Sequence, residues 1–157
     1  MTLGVGDLGA SAVPEDSLVT HALGSCVAVV VRDRRRGVCG LAHVVVPSSP
    51  PTSNAVPKAG YYAPTAVAAV LEAGHQLGIQ RDALEVVLVG GATAVDGLTG
   101  FDIGRRNLLA VRKALWSRGI VPIAEDVEGT MSRTVSVLVE SGEVRVSNPM
   151  FGVWTLA

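Results

Sequence analysis

Leu23-Gly24-Ser25-Cys26-Val27-Ala28-Val29-Val30-Val31 and Val38-Cys39-Gly40-Leu41-Ala42-His43-Val44-Val45-Val46, separated by Arg32-Asp33-Arg34-Arg35-Arg36-Gly37, decide the fold of this chain. Two β-branched apolar runs joined by a polar stretch that ends in glycine read as a β-hairpin. The Gly-Ser turn delivers Cys26 to the head of the first strand, at an edge that solvent reaches. A two-residue turn at Arg34 and Arg35 gives antiparallel partners an index sum of 69, which sets Cys26 directly across from His43. Directly opposed side chains share a face with Cβ atoms about 4.5–5.5 Å apart, close enough for a thiol and an imidazole to exchange a proton. The same register puts Cys39 opposite Val30, roughly 13 Å along the strands from Cys26. A disulfide needs Cα atoms within about 7 Å, so the two cysteines stay unpaired.

Outward from the hairpin, Met1 to Ser17 holds a short strand and a polar loop, and Leu18-Val19-Thr20 leads into the Cys26 turn. Residues 47–57 carry four prolines in eleven positions, which excludes both helix and ladder. A loop of that length, starting four residues after His43, reads as a lid or binding surface. Pro64 opens a helix at its favoured first position, with Ala66, Val67, Val70, Leu71 and Leu77 on one face and Gly78 at its end. Glu85 to Val89 is a strand running into Gly90-Gly91-Ala92, and a glycine-punctuated loop with Gly97 and Gly100 follows. The second helix spans about Gly104 to Arg118, with Leu108, Val111, Leu115 and Trp116 inward and Gly119 as its terminator. Three closing strands are expected at 121–124, 134–140 and 143–147. The order implies mixed, largely antiparallel sheets with two helices packed outside, an α+β fold in one domain over residues 1–157.

Composition narrows the function classes. With 157 residues, 48% apolar and 17% charged, the chain builds a core of Val, Ala and Leu, because it has only six aromatic residues to spend there. A net charge of −1 lacks the basic excess of a general nucleic-acid binder. No apolar run approaches the ~18 residues of a membrane span, which argues against membrane insertion. The first residues lack the pattern of a signal peptide, so the expected location is the cytoplasm. Two cysteines out of each other's reach fit a reducing compartment.

A cysteine on an apolar strand is most often simply core. Cys26 departs from that reading on three counts: the Gly-Ser turn exposes it, a histidine falls on its face, and a long loop overhangs the pair. Cys39 has none of these and reads as a buried structural cysteine. Next to an imidazolium a thiol is acidified from about 8.5 to as little as ~3.5, and the thiolate attacks carbonyl or carboxamide carbon. The imidazole then needs a third group on its other nitrogen. Thr20 serves through its hydroxyl or its carbonyl, and His21 is the rival, although strand alternation points it away. The Gly24-Ser25 turn is the expected oxyanion or substrate-binding element, with the backbone N–H groups of Ser25 and Cys26 as donors. No His, Cys, Asp and Glu set has metal-ligand spacing, and no cofactor motif is present; Gly90-Gly91 lacks both phosphate-loop patterns and reads as a turn. His75 falls late in the first helix, and the arginines of the second helix read as its solvated face or as a dock for an acidic partner.

These residues resemble the CheD-type chemoreceptor glutamine deamidases of chemotaxis. The likeness runs over nearly the whole chain: Gly4-Val5-Gly6-Asp7, Thr20, Leu23 to Val29, Gly40-Leu41-Ala42-His43 with Pro47, Tyr62-Ala63, Gly90-Gly91-Ala92, Ile103 to Asn107, Ala124-Glu125-Asp126 and Arg133. The resemblance implies hydrolysis of glutamine side chains of methyl-accepting receptors to glutamate, with a Cys26, His43 and Thr20 triad and no cofactor. It implies a layered α/β/β sandwich similar to toxin-type cysteine deamidases, and a CheC-type phosphatase as a regulatory partner. Pro64, Glu128 and Ser132 depart from the family pattern, and Met150 to Trp154 matches no part of it. A non-catalytic regulator binding a phosphatase or a receptor helix is the alternative from another class. A cysteine protease or thiol esterase would use the same triad on a different carbonyl.

Overall fold

In a computed structural model the described residues are 1–49, 57–93 and 102–157. The centre of the expected lid, Pro50 to Val56, and the Gly97 and Gly100 loop lie outside them. A five-stranded sheet takes β1 (Leu8–Ser11), β3 (Val27–Asp33), β4 (Val38–Val44), β5 (Glu85–Gly90) and β6 (Ala124–Val127) in the order β1-β4-β3-β5-β6. A four-stranded sheet takes β2 (Ser17–Leu23), β7 (Arg133–Leu138), β8 (Val144–Asn148) and β9 (Gly152–Thr155) in the order β2-β7-β8-β9. The helices are α1 (Ala63–Gln76) and α2 (Ile103–Trp116).

Burial sorts these elements into three layers. Every residue of β3 and β4 is buried, because the helices cover one face of that sheet and the second sheet covers the other. On the helix side Val27, Val29, Val31, Ala42 and Val44 pack against Ala66, Val67, Val70, Leu108 and Val111. On the opposite side Ala28, Val30, Leu41, Val87 and Val89 meet Leu18, Leu23, Val135, Val137 and Val146 of the second sheet. β7 alternates buried and half-buried residues, as an outer layer with one covered face must. The result is an α+β sandwich of helices, middle sheet and outer sheet. No helix among the described residues is long and apolar enough to cross a membrane.

The hairpin register differs from the two-residue reading. Ala28 pairs with His43 and Asp33 with Val38, an index sum of 71, so the turn is the four-residue Arg34–Gly37. The Asp33 carboxylate closes it by accepting from the N–H groups of Arg35 at 3.0 Å and Arg36 at 3.2 Å, and Gly37 supplies the positive φ of 63° that ends it. Cys39 consequently pairs with Arg32 and not Val30. The slip is two residues, an even number, so every side chain keeps its expected face.

Three further differences mark the C-terminal half. β6 lies later than expected because it joins β5 in parallel, Val87 opposite Ala124, after the crossover through α2. Trp116 is 57% exposed and not inward, while Leu108, Val111 and Leu115 are buried. The segment after Pro149 forms β9, which pairs with β8 at the edge of the outer sheet.

Candidate active site

His43 reaches the space between the two sheets because its neighbours Ala42 and Val44 face the helices. Thr20 arrives from the other sheet. β2 carries one extra residue between Thr20 and Leu23, with Ala22 at a positive φ of 55°, so both Thr20 and Leu23 turn inward while His21 is exposed. His21, the rival third group, is thereby placed in solvent. Thr20 Oγ1 lies 2.7 Å from His43 Nδ1, a contact that spans the layers, and both residues are buried.

The protons of this pair follow from counting donors. Thr20 Oγ1 also lies 2.7 Å from the Leu3 carbonyl oxygen, which only accepts. The single hydroxyl proton therefore goes to Leu3, and Oγ1 accepts from Nδ1–H of His43. This assigns the tautomer: Nε2 carries the lone pair. Nε2 is buried and has no hydrogen-bond partner among the described residues. The N–H of His43 donates to the Asp7 carbonyl at 2.9 Å, which fixes the backbone beneath the ring.

Cys26 is a half-exposed free thiol one residue outside β3. With the observed register, extending the ladder sets Cys26 opposite Val45, and His43 becomes its diagonal neighbour on the same face instead of its direct partner. The thiol and Nε2 are not hydrogen-bonded to each other. Burial pushes the Cys26 thiol up from its ordinary value, and burial holds His43 below the ordinary imidazole range, partly opposed by the carboxylate of Asp7. Both shifts favour the uncharged forms, a thiol and a neutral imidazole. The thiolate–imidazolium pair expected from the sequence is not the state this environment favours, because both charged forms lose hydration here.

The turn that presents Cys26 is held by β5 and α2. Gly91 N–H donates to the Cys26 carbonyl at 2.8 Å, and Ala92 N–H to the Gly24 carbonyl at 2.9 Å. Gly90 makes this approach possible: it sits at φ 112°, and a Cβ there would stand 2.3 Å from the Cys26 carbonyl oxygen. The Gly-Gly pair is thus a structural turn that seats the Cys26 loop. Asn107 of α2 donates to the carbonyls of Ser25 and Val45, each at 2.9 Å. The N–H of Gly24 is taken by Ala22 O, whereas those of Ser25 and Cys26 have no acceptor among the described residues.

Asn107, Asp7 and the Leu3 carbonyl were not read as site groups from the sequence, since none has a motif of its own that carries chemistry. Only their tertiary neighbours reveal them. Cys39, its thiol pushed up to about 11 by burial, lies 3.9 Å from the Leu138 carbonyl, away from the site.

Comparison with known proteins identifies the family. A family model described as CheD chemotactic sensory transduction matches residues 45–148. A protein of Syntrophotalea carbinolica named probable chemoreceptor glutamine deamidase CheD is 40% identical over 99% of this chain and 98% of its own length. The chemoreceptor glutamine deamidase CheD of Thermotoga maritima is 38% identical over 92% of this chain and 88% of its own. A probable chemoreceptor glutamine deamidase CheD of Methanococcus vannielii is 37% identical, covering 90% of each chain. With likeness of this extent spanning the Cys26 turn, the His43 strand and the helix that ties them together, the chain belongs to the CheD family.

Proposed function

We propose that this chain, acting as one domain over residues 1–157, is a cysteine hydrolase that deamidates selected glutamine side chains of methyl-accepting chemoreceptors to glutamate. The observation that carries the mechanism is the hydrogen-bond chain from His43 Nδ1 to Thr20 to the Leu3 carbonyl, which leaves Nε2 as a base on the face shared with Cys26. The similarity to named chemoreceptor glutamine deamidases supports the substrate.

In this reading the Cys26 proton passes to Nε2 as sulfur attacks the glutamine Cδ. The carboxamide oxygen becomes an oxyanion facing the free N–H groups of Ser25 and Cys26, in the turn begun by Gly24. The His43 imidazolium protonates the nitrogen, ammonia leaves, and a thioester remains. Water, deprotonated by Nε2, attacks the thioester; glutamate departs and the thiol regains its proton. Thr20 keeps the ring in the productive tautomer throughout. The reaction belongs in the cytoplasm, where receptor signalling domains lie, and a CheC-type phosphatase is the proposed regulatory partner.

The test is mass spectrometry of a chemoreceptor cytoplasmic fragment incubated with the protein and, in parallel, with Cys26→Ala. Conversion of discrete glutamines to glutamate with the wild type alone is expected. Turnover that survives in Cys26→Ala refutes the mechanism, and absence of turnover with a reactive Cys26 favours the non-catalytic regulator.

A further inference from the structure

Three consecutive carbonyls around Cys26 are each held by a hydrogen bond from outside the turn. Gly24 O is bonded to Ala92 N–H, Cys26 O to Gly91 N–H, and between them Ser25 O to the side chain of Asn107. No peptide bond among the described residues is cis. In a trans peptide the N–H points opposite to the C=O. Holding the Ser25 carbonyl on the Asn107 amide therefore turns the Cys26 N–H away from α2, and holding the Gly24 carbonyl on Ala92 turns the Ser25 N–H away from Ala92. α2 packs on one face of the middle sheet, and His43 meets Thr20 on the other.

Asn107 is the one member of this clamp that acts through a side chain. It is 0% exposed, and both Nδ2 protons are committed, one to Ser25 beside the nucleophile and one to Val45, two residues past the base. Its Oδ1 is buried without a hydrogen-bond partner among the described residues. An unsatisfied buried acceptor is a standing cost, and a small apolar residue would occupy the space without it. What asparagine adds at this place is the pair of donors.

We propose that Asn107 is a positioning residue of the oxyanion hole: its amide holds the Ser25 carbonyl so that the Cys26 N–H aims at the oxygen of the tetrahedral intermediate. Its second bond ties that donor to the strand carrying His43. The inference rests on Cys26 being the nucleophile. It predicts a selective defect, because an oxyanion forms only on attack at the carboxamide. Alkylation of the same thiol by iodoacetamide displaces iodide at a saturated carbon and builds no oxyanion.

The experiment compares wild type, Cys26→Ala, Asn107→Ala and Asn107→Asp. Deamidation of a receptor cytoplasmic fragment is followed by mass spectrometry and Cys26 alkylation by iodoacetamide. Asn107→Asp keeps the size and removes both donors. Both Asn107 variants are expected to lose about 10²-fold in kcat with KM and alkylation rate within about threefold of wild type. A kcat close to wild type in both variants overturns the proposal. So does a proportional fall of deamidation and alkylation, which is what a displaced or unfolded turn produces. Wild type without turnover, or active Cys26→Ala, overturns the underlying reading; a Cys26-dependent wild type with an unchanged Asn107 ratio overturns the role of Asn107 alone.

Discussion

At the scale of single residues, the chemistry depends on which proton sits where. In the proposed mechanism neutral His43 is the base, and burial holds its pKa below the ordinary imidazole value. Protonation removes the lone pair, so kcat/KM falls as pH drops through that lowered value and is on its plateau at neutral pH; a pH–rate profile checks this. The Asp7 carboxylate acts in the opposite sense, raising His43. Asp7→Asn therefore moves the acid limb to still lower pH. The Cys26 thiol is raised, so alkylation keeps accelerating above about pH 8.5, the ordinary thiol value. Thr20→Val removes the acceptor of Nδ1–H and frees the ring to take the wrong tautomer. Its kcat is expected to fall about 10- to 10³-fold, with Thr20→Ser restoring most of the activity. Cys26 and His43 were legible as candidates because the Gly-Ser turn and the strand pattern are local features. The protonation state was not, since it depends on how much water the second sheet removes.

At the scale of elements, the hairpin and the turn that follows β2 decide where those residues stand. The hairpin was legible from two β-branched runs, but its register depended on Asp33 closing a four-residue turn, a side-chain choice that period-2 alternation does not encode. The extra residue in β2 was invisible for the same reason: nothing in Thr20-His21-Ala22-Leu23 announces a positive φ at Ala22. Gly90→Ala tests the seating of the Cys26 loop. The new Cβ meets the Cys26 carbonyl and the residue sits at φ 112°, so unfolding free energy should fall by about 1–3 kcal/mol and deamidation should be lost with it. Denaturant titration and turnover report the two effects. Cys39→Ser, by contrast, changes a buried side chain remote from the site and is expected to lower stability while leaving kcat intact.

At the scale of the whole molecule, the site exists because two sheets stack. Asp126 of β6 bonds Arg133 of β7 at 2.9 Å and Trp154 of β9 at 2.9 Å, which fastens the edge of the middle sheet to the outer one. Arg133 is buried and pairs with Leu23 at the head of the Cys26 turn. Asp126→Ala strands that guanidinium and should destabilise the protein by about 3 kcal/mol, read as a lowered denaturation midpoint. The sequence by itself determined the β-rich core, the helix limits near Pro64 and Gly119, the identity of the nucleophile candidate and the face it shares with His43. Those follow from turn chemistry and from periodicity, which are properties of neighbours along the chain. Only the tertiary structure decided the register at Asp33, the layer into which His43 points, the Leu3 carbonyl that sets its tautomer and the hold of Asn107 on Ser25. Apart from the Asp33 turn, a side-chain choice among neighbours, each of these joins residues far apart in the chain, and such contacts are selected by packing the layers together, not by any local preference.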